Sequence, residues 1–513
     1  MAKDTRWDRN LSVAADAEGL IGHAGAVLLR KLADQCGLTS ALSTALGRKG
    51  KFPLIDRGMA LVSMAVAIAL GAGTMSDIAV LAHQEPVVGA APSDTTVRRT
   101  LELADPRTLD KIARARAAVR AHVWQLVCAT PAGFPWLAIA GKLLAGWLVI
   151  DLDATLITAR SDKEGAAPTF KSGYGFHPLG AWCANTAESL AMLLRPGNAG
   201  SNTFADHLAV LTAALRQIPS RMRSRLLVRV DGAGASHELI TCLLSLASRR
   251  RTVLFTSGWM ITAADEEAIR LLPATAWQAA VDQDGAVRHD KHVAEITHLL
   301  SRAGRWPAGL RWIVRRTRPS RRQAKNLTAF ERATGWRYSI ICTNIPAARG
   351  IPGVPGSHHA QFTDVLHRQH AVVEDGVRAG KSMGLRNLPL IIFSPTILRS
   401  SDLRLCVVDS VVHGLSRGSP EGRPGSFCSL LSGRVVAGER IAAALCSPSA
   451  RSSASRSWRF SDSRTRMRTV AASRRRSSEA GVARCRSGTS GDDGACCCRV
   501  RSRPICSRRS SWA

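Results

Sequence analysis

Two short apolar segments that each end in aspartate constrain the fold of this chain more than any other feature. Residues 146–153 and 225–231 are both rich in Leu and Val, and both finish on an acid. Such runs are typical of buried β-strands, and residues 252–255 form a third. Between the first two lie residues 204–215, whose apolar positions recur at helical spacing. Strands that alternate with helices predict an α/β fold with a mixed or parallel sheet.

The rest of the sequence predicts how the chain is divided into domains. The N-terminal part is helical in pattern, and Ser93 followed by Arg98 and Arg99 is typical of a capped helix start that carries positive charge. Such a helix suits contact with a DNA backbone, although an ordinary solvated helix face has the same pattern. We therefore predict an N-terminal helical, DNA-binding region at residues 1–130 and a core in two parts, residues 145–258 and 336–390. Residues 259–335 between these parts are predicted to form an insertion subdomain, and residues 391–513 a tail.

The net charge of +31 is divided between two different kinds of sequence. Residues 391–513 hold 22 Arg, no Lys, 8 acids, 26 Ser and 8 of the 13 Cys, so they contribute 22 − 8 = +14 and leave +17 for residues 1–390. We interpret the segment as a disordered tail or as the product of a frameshift near its start. A natural basic tail that binds nucleic acid stays open as the alternative. Only the +17 therefore supports a polyanionic partner.

The sequence favours a cytoplasmic protein without a membrane span. The longest apolar run, residues 58–73, is shorter than the about 20 residues that a spanning helix needs, so a buried core helix is expected. The chain starts with polar and charged residues, unlike a signal peptide. The five cysteines before residue 391 are scattered and form neither a zinc pair nor a disulfide framework.

Three candidate acids lie where an α/β fold presents an active site. Asp151 and Asp153 are two residues apart on one strand and share a face. Asp231 ends the second strand and precedes Gly232-Ala233-Gly234, small residues that would let a ligand approach. Carboxylate oxygens are hard ligands that suit Mg²⁺, and two such ions can drive phosphodiester chemistry.

The third acid, Glu374, lies in a long helix predicted over residues 361–383. His367, His370 and Lys381 stand at offsets of −7, −4 and +7 from it, within an arc of about 60° on one helix face. This stripe suits a metal-binding carboxylate flanked by groups that grip phosphates. A solvated face with pairs between residues four apart, including Glu374 with Arg378, explains the spacing equally well.

Taken together, these residues resemble a known family, the DDE transposases of bacterial insertion sequences. The order Asp153, Asp231, a long insertion and Glu374 matches, and the stripe matches the spacing of their tyrosine–arginine–glutamate–lysine signature, with His367 and His370 at the first two positions. Three further segments are similar to one subgroup: residues 174–179, 195–202 and 384–389.

The resemblance implies a ribonuclease-H-like catalytic core with a mainly β insertion. It implies that Asp153, Asp231 and Glu374 hold Mg²⁺, or Mn²⁺ in its place. It also implies that the partner is double-stranded DNA, bound by a homodimer in a synaptic complex. Asp153 is preferred to Asp151 as the first acid because a small residue and a threonine follow it, as in the family. The residues expected to contact DNA are His367, His370, Arg378 and Lys381 on the helix, and Arg315, Arg316 and Arg318 with Trp306 and Trp312 in the insertion.

Cleavage and strand transfer at inverted-repeat ends is the function that this resemblance implies. Two alternatives stay open at this stage. One is a metal-dependent nuclease that cannot join strands, because the same acids would serve it. The other is a catalytically inactive transposase remnant that only binds DNA.

Overall fold

The computed structural model describes residues 23–382, apart from positions 24, 51–52, 83–84, 104, 160–162, 164 and 301–304. The predicted tail, residues 391–513, and the family-like segment 384–389 therefore lie outside the described residues. No described helix is long and apolar enough to cross a membrane.

The N-terminal part of the described chain is helical, as its pattern predicts. Capping side chains define several helix starts: Asp56, Ser93 and Asp105 each accept a hydrogen bond from the first turn that follows. The helices are α1 (Ala26–Gln35), α2 (Leu38–Leu46), α3 (Arg57–Ala69), α4 (Ala79–Ala82), α5 (Glu85–Val88), α6 (Asp94–Glu102) and α7 (Pro106–Ala129). Helix α3 covers most of the long apolar run and is buried along most of its length, which confirms the prediction of a core helix.

Helix α7 belongs to two hydrophobic cores. Ile112 and Val119 pack with the N-terminal helices, whereas Trp124 packs in the core of the region that follows. On the same buried face, Arg120 donates to Glu188 Oε2 at 2.7 Å, and Trp124 Nε1 donates to Glu188 Oε1 at 2.7 Å. Burial alone would raise the pKa of Glu188, but Arg120 and the Trp124 hydrogen bond hold it below its usual value.

Replacing Trp124 with phenylalanine tests this connection. The smaller phenyl ring would keep most of the packing, but Glu188 Oε1 would lose its donor. Because hydrogen bonds to charged groups contribute about 1.5–3 kcal/mol, we expect the free energy of unfolding to fall by that amount. Urea unfolding measures it, and Trp336→Phe, at a partly exposed site, is the control. Equal stability of both variants would contradict the prediction.

The rest of the described chain is a set of strands with helices between them. The strands are β1 (Ala138–Ile139), β2 (Lys142–Leu143), β3 (Leu148–Ala154), β4 (Ile157–Thr158), β5 (Ala167–Pro168), β6 (Tyr174–Phe176), β7 (Leu179–Cys183), β8 (Glu188–Leu193), β9 (Arg225–Val230), β10 (Thr252–Trp259), β11 (Gln278–Val281), β12 (Val287–Glu295), β13 (Arg311–Thr317) and β14 (Arg337–Thr343). The helices are α8 (Phe204–Gln217), α9 (His237–Ser245), α10 (Ala263–Arg270), α11 (Arg321–Ala324), α12 (Ala329–Thr334), α13 (Ala360–Arg368) and α14 (Val373–Gly380).

Among the described residues, nine strands form one mixed sheet in the order β11-β12-β13-β14-β10-β9-β3-β7-β8. Strands β3, β9 and β10 are parallel, and the other neighbours in the sheet are antiparallel. The parallel strands are the three apolar runs of the sequence, which are buried almost throughout because helices cover both faces of such strands. The α/β prediction with a mixed sheet is thus confirmed.

The segment predicted as an insertion extends the same sheet. Strand β14 pairs antiparallel with β10, and β13, β12 and β11 follow it outward. Trp312 on β13 is 1% exposed and packs against Trp259, with ring centroids 6.3 Å apart. Trp312 is therefore a core residue rather than a DNA contact.

The long helix predicted over residues 361–383 is divided. Helix α13 ends at Arg368, a 3₁₀ turn spans Gln369–Val372, and α14 continues from Val373. A 3₁₀ turn has three residues per turn, so side chains three apart tend to eclipse each other. The rings of His367 and His370 accordingly lie 16° from parallel with centroids 6.4 Å apart. The uniform helical spacing assumed for the stripe does not hold across this turn.

Candidate active site

Asp153 and Asp231 lie at the same edge of the sheet. Strands β3 and β9 run parallel, and their last paired residues are Leu152 and Val230, so the next residue on each strand is one of the two acids. Both side chains are partly buried. Parallel strands that end together bring their following residues to one edge, which is why two acids 78 positions apart in the chain become neighbours here.

Glu374 lies in the first turn of α14. Its side chain is exposed, but its charge acts on Asp153. The pKa of Asp153 is raised to about 6, chiefly by burial, with further increases from the charges of Asp231 and Glu374 and an opposing effect from His370. The three predicted acids thus form one electrostatic group.

A buried polar layer lies beneath these acids. Arg229 donates to both carboxylate oxygens of Asp151, at 2.6 and 2.7 Å, and to the carbonyl of Leu366 in α13 at 3.0 Å. His370 Nδ1 lies 3.0 Å from Asp151 Oδ1. Arg229 is 1% and Asp151 2% exposed. Burial alone would raise the pKa of Asp151, but Arg229 and His370 outweigh it and keep the pKa below its usual value.

Each member of this layer lies two or four residues before one of the acids in the sequence. Asp151 is two residues before Asp153 on β3, and Arg229 is two residues before Asp231, so each pair shares a face of the sheet. His370 is four residues before Glu374. The layer therefore connects strands β3 and β9 with the 3₁₀ turn that leads into α14.

The structure places both predicted phosphate-binding histidines inside the fold. His367 Nδ1 lies 3.2 Å from the hydroxyl of Thr256 on β10. Burial, with the nearby charges of His370 and Arg229, lowers the pKa of His367 to about 3, so its ring is neutral at pH 7. His370 is 9% exposed and holds Asp151. A role for either residue in DNA contact stays a prediction.

Lys381 lies at the edge of the sheet where the acids lie. Its Nζ donates to Thr155 Oγ1 at 2.6 Å, and Thr155 follows Asp153 by two residues. Arg378, one turn after Glu374, is 69% exposed and pairs with Asp375 at 2.5 Å. The structure thus brings Lys381 and the acids to one edge of the sheet and leaves Arg378 at the surface.

The three predicted arginines of β13 and its end have different surroundings. Arg315 lies 3.7 Å from the fully buried Asp364 of α13. Arg316 lies between the rings of Trp277 and Trp336, 4.2 and 4.7 Å from their centroids. Arg318, which is exposed, lies 3.9 Å from the centroid of the Trp336 ring. The structure does not bring these arginines into contact with the acids.

The small residues after Asp231 serve close packing. A side chain on Gly234 would meet Val230 at 2.8 Å, and the Gly234 amide donates to Asp231 Oδ1 at 2.9 Å. A Cβ on Gly258 of β10 would lie 2.5 Å from the Gly232 nitrogen. The space that the sequence pattern suggested for a ligand is occupied by the protein, which holds the Asp231 carboxylate by a backbone hydrogen bond.

Replacing Gly258 with alanine is expected to displace Asp231. The added methyl would lie 2.8 Å from Gly232 Cα and 3.2 Å from the Asp231 carbonyl carbon, and both are backbone atoms that cannot rotate away. Because a misplacement of about 1 Å can cost about 100-fold in rate, we expect a loss of that order in the DNA cleavage that the sequence resemblance implies. Gly73→Ala, where the nearest atom is 3.8 Å away, is the control. Full activity in Gly258→Ala would exclude this packing role.

The described part of the chain holds no group of three or more His, Cys, Asp or Glu side chains already arranged around a metal position. Its candidate donors are the carboxylates of Asp153, Asp231 and Glu374, whose mutual repulsion a cation would relieve. The donor chemistry therefore fits a hard divalent ion, without a preformed cage.

Sequence reasoning missed Arg229 and Asp364. The available signal for Arg229 was its spacing, because it precedes Asp231 by two residues just as Asp151 precedes Asp153. A charged residue inside an apolar strand, at the same-face position before an acid, indicates a buried partner for a second charge. Asp364 carried no such signal.

Comparison with known proteins identifies the family of this chain. The family model described as transposase DDE domain group 1 matches residues 4–389 of the 513. No curated protein matches the chain. Among solved structures, a piggyBac transposase in a synaptic complex with hairpin DNA, determined by cryo-electron microscopy, is similar with a TM-score of 0.35 and 11% sequence identity, over 85% of this chain and 84% of that one. The extent of the family match shows that this chain belongs to the group 1 DDE-domain transposases.

Proposed function

We propose that this transposase cleaves DNA at the inverted-repeat ends of an insertion sequence and joins the released 3′-hydroxyl to target DNA. Asp153, Asp231 and Glu374 are its catalytic carboxylates. The observation that carries the proposal is the common end of the parallel strands β3 and β9, which places Asp153 and Asp231 at one edge of the sheet. Burial raises the pKa of Asp153 there to about 6, and the charges of Asp231 and Glu374 add to this effect. Raised carboxyl pKa values from like charges are typical of functional sites.

The three carboxylates would hold Mg²⁺, or Mn²⁺ in its place. Two such ions can activate a water or a 3′-hydroxyl and stabilise the leaving oxygen of a phosphodiester. Asp153 and Asp231 stand at the ends of rigid strands, and the buried layer of Asp151, Arg229 and His370 fixes their separation. Glu374, on an exposed helical turn, would complete the set.

The DNA partner would be bound by positive charge around this edge of the sheet. Lys381, through its contact with Thr155, places an ammonium group near the acids. The exposed Arg378 and Arg318 are further candidates for phosphate contacts. We also propose phosphate contacts for four residues whose side chains make contacts inside the protein and are therefore less accessible to DNA: His367, His370, Arg315 and Arg316.

The proposal includes a ribonuclease-H-like core and the domain boundaries derived from the sequence. The strand order β10-β9-β3-β7-β8 supports it, because an antiparallel meander of three strands continues into two parallel strands beside the first acid. The hydrophobic core of the N-terminal helices supports a domain over residues 1–130, for which we propose DNA binding. A homodimer in the synaptic complex and a cytoplasmic location complete the proposal.

Purified full-length protein, incubated with duplex DNA containing the ends that flank its gene, tests the proposal. We expect cleavage in Mg²⁺ or Mn²⁺, none in EDTA, and joining of a pre-cleaved end to target DNA. Cleavage without joining would instead identify a nuclease. Tight binding without cleavage in either metal would identify the inactive remnant that the family resemblance left open.

A further inference from the structure

Two antiparallel segments of the chain continue past the sheet edge at which Asp153 lies. Asp153 on β3 pairs with Gly180 on β7. Two residues further along, the Thr155 amide donates a hydrogen bond to the Pro178 carbonyl at 3.0 Å. The same two segments then pair again as β4 and β6, and β5 adds a third strand to them. This small sheet therefore begins within a few residues of the first of the three acids.

The turn between β5 and β6 presents one aromatic and one basic side chain to solvent. The Thr169 amide donates to the Gly173 carbonyl at 2.8 Å and closes the turn. Phe170 is 69% exposed, and the Nζ of the exposed Lys171 lies 5.7 Å from the centroid of its ring. Single exposed apolar side chains are common on protein surfaces. What distinguishes Phe170 is therefore its charged neighbour and its position.

A ring contact places Phe170 close to the strands that carry the acids. Its ring centroid lies 5.6 Å from that of the buried His177. His177 is three residues before Gly180, the pairing partner of Asp153. Three residues of a strand span about 10 Å, which is the rise of about three nucleotides along one DNA strand. A DNA strand with a phosphodiester at the acids could therefore reach this ring.

The family-like segment 195–202 supports this turn from behind. The His177 amide donates to the Arg195 carbonyl, and Arg195 Nε donates to the His177 carbonyl, both at 2.9 Å. A Cβ on Gly197 would lie 2.7 Å from the carbonyl oxygen of Gly175 on β6, so a larger residue could not approach this closely. A surface that is ordered before binding loses less conformational freedom when a ligand arrives. The turn is thus preorganised for a partner.

We propose that the β5–β6 turn is a DNA contact, where Phe170 stacks on an unpaired base within a few nucleotides of the cleaved bond and Lys171 binds a neighbouring phosphate. The inference rests on the proposed function for the acids. Aromatic side chains stack on bases of single strands, whereas bases inside a duplex cover each other's faces. The ammonium group beside the ring supplies the charge that attracts the DNA backbone.

Equilibrium binding of the full-length protein to element-end DNA tests this, in EDTA so that no cleavage occurs. Two duplexes of one sequence are compared, one fully paired and one with unpaired nucleotides beside the mapped cleavage position. Phe170→Leu should weaken binding of the DNA with unpaired bases about 5- to 100-fold and leave binding of the paired DNA unchanged. Phe170→Trp should bind both DNAs as the wild type does. Leu271→Ala is the control, because Leu271 is also 69% exposed but lies in the predicted insertion.

A second variant tests the phosphate contact. Lys171→Gln should weaken binding of both DNAs and reduce the salt dependence of the affinity by about one unit of slope. An unchanged slope would overturn the role of Lys171.

The outcomes for Phe170 separate this inference from the proposed function. If the wild type cleaves the ends but Phe170→Leu binds both DNAs normally, or weakens both equally, the base contact is overturned and the proposed function stands. A Phe170→Leu variant with altered oligomeric state in sedimentation and normal DNA binding would assign the turn to contact between copies, and would also overturn it. If the wild type neither binds nor cleaves end DNA, both the inference and the proposed function fail.

Discussion

An Asp153→Asn variant is expected to lose DNA cleavage while becoming more stable at neutral pH. A catalytic metal contributes several kcal/mol to the transition state, and a loss of about 4 kcal/mol corresponds to about 1,000-fold in rate. We expect at least that loss, because an amide supplies no negative charge to hold the ions. Asp231→Ala should likewise abolish cleavage. The measurement is the rate of end cleavage in Mg²⁺ and in Mn²⁺.

The gain in stability follows from the direction of the pKa shift of Asp153. Its folded pKa of about 6 lies above the usual 3.8, so the folded protein binds more protons than the unfolded chain between these values. Stability therefore falls as the pH rises from about 4 to 6 and stays reduced above that range. A shift of this size corresponds to about 3 kcal/mol, which asparagine would recover at pH 7 but not below pH 4.

Urea unfolding of Asp153→Asn and wild type at pH 4 and pH 7.5, without divalent ions, measures this gain. Asp375→Asn is the matched control, because that carboxylate is 56% exposed and pairs with Arg378 at the surface. It should change stability by no more than about 0.5 kcal/mol. An Asp153→Asn variant that is inactive but less stable than wild type at pH 7.5 would contradict the electrostatic account.

Replacing Arg229 with methionine is expected to cause the largest loss of stability. It would leave the Asp151 carboxylate buried without its main counter-charge and remove the hydrogen bond to Leu366. Removing one partner of a buried ion pair typically costs about 3–5 kcal/mol. The free energy of unfolding should fall by that amount, and the melting temperature should fall with it.

A second substitution distinguishes loss of the ion pair from simple loss of volume. Arg229→Met combined with Asp151→Leu removes both charges and should recover part of the loss, because apolar pairs often replace buried ion pairs at little cost. Arg114→Met, which breaks an exposed pair with Asp110, should have almost no effect. A double variant less stable than Arg229→Met would show that the charge of Asp151 is not the cause.

The parallel strands and two of the acids could be predicted because local sequence determines them. The apolar runs that became β3, β9 and β10 are buried on both faces, so nearly every residue in them is apolar and the pattern is visible without a partner strand. Asp153 and Asp231 follow from where those runs end. The strands of the insertion contain fewer apolar residues. They extend the same sheet because β14 pairs with β10, and no local pattern in the sequence indicates that pairing.

The helix near Glu374 shows the opposite case. Its apolar spacing predicts one helix, but His367 and His370 are held by Thr256 on β10 and Asp151 on β3, and the backbone between them tightens into a 3₁₀ turn. The residues that the sequence predicts on one helix face therefore do not share the same surroundings. The two histidines lie inside the fold, and Glu374 is exposed. Contacts with distant strands decide which side of a helix is buried.

By itself, the sequence determined the α/β class, the positions of the strands that carry two acids, and the order of residues that resembles the DDE transposases. Only the tertiary structure decided that Asp151 belongs to a buried layer with Arg229 and His370, and that Asp153 shares its electrostatic environment with Asp231 and Glu374. The reason is that propensity and periodicity act over a few residues. Burial and charge interaction depend instead on which residues the parallel register of β3 and β9 brings together.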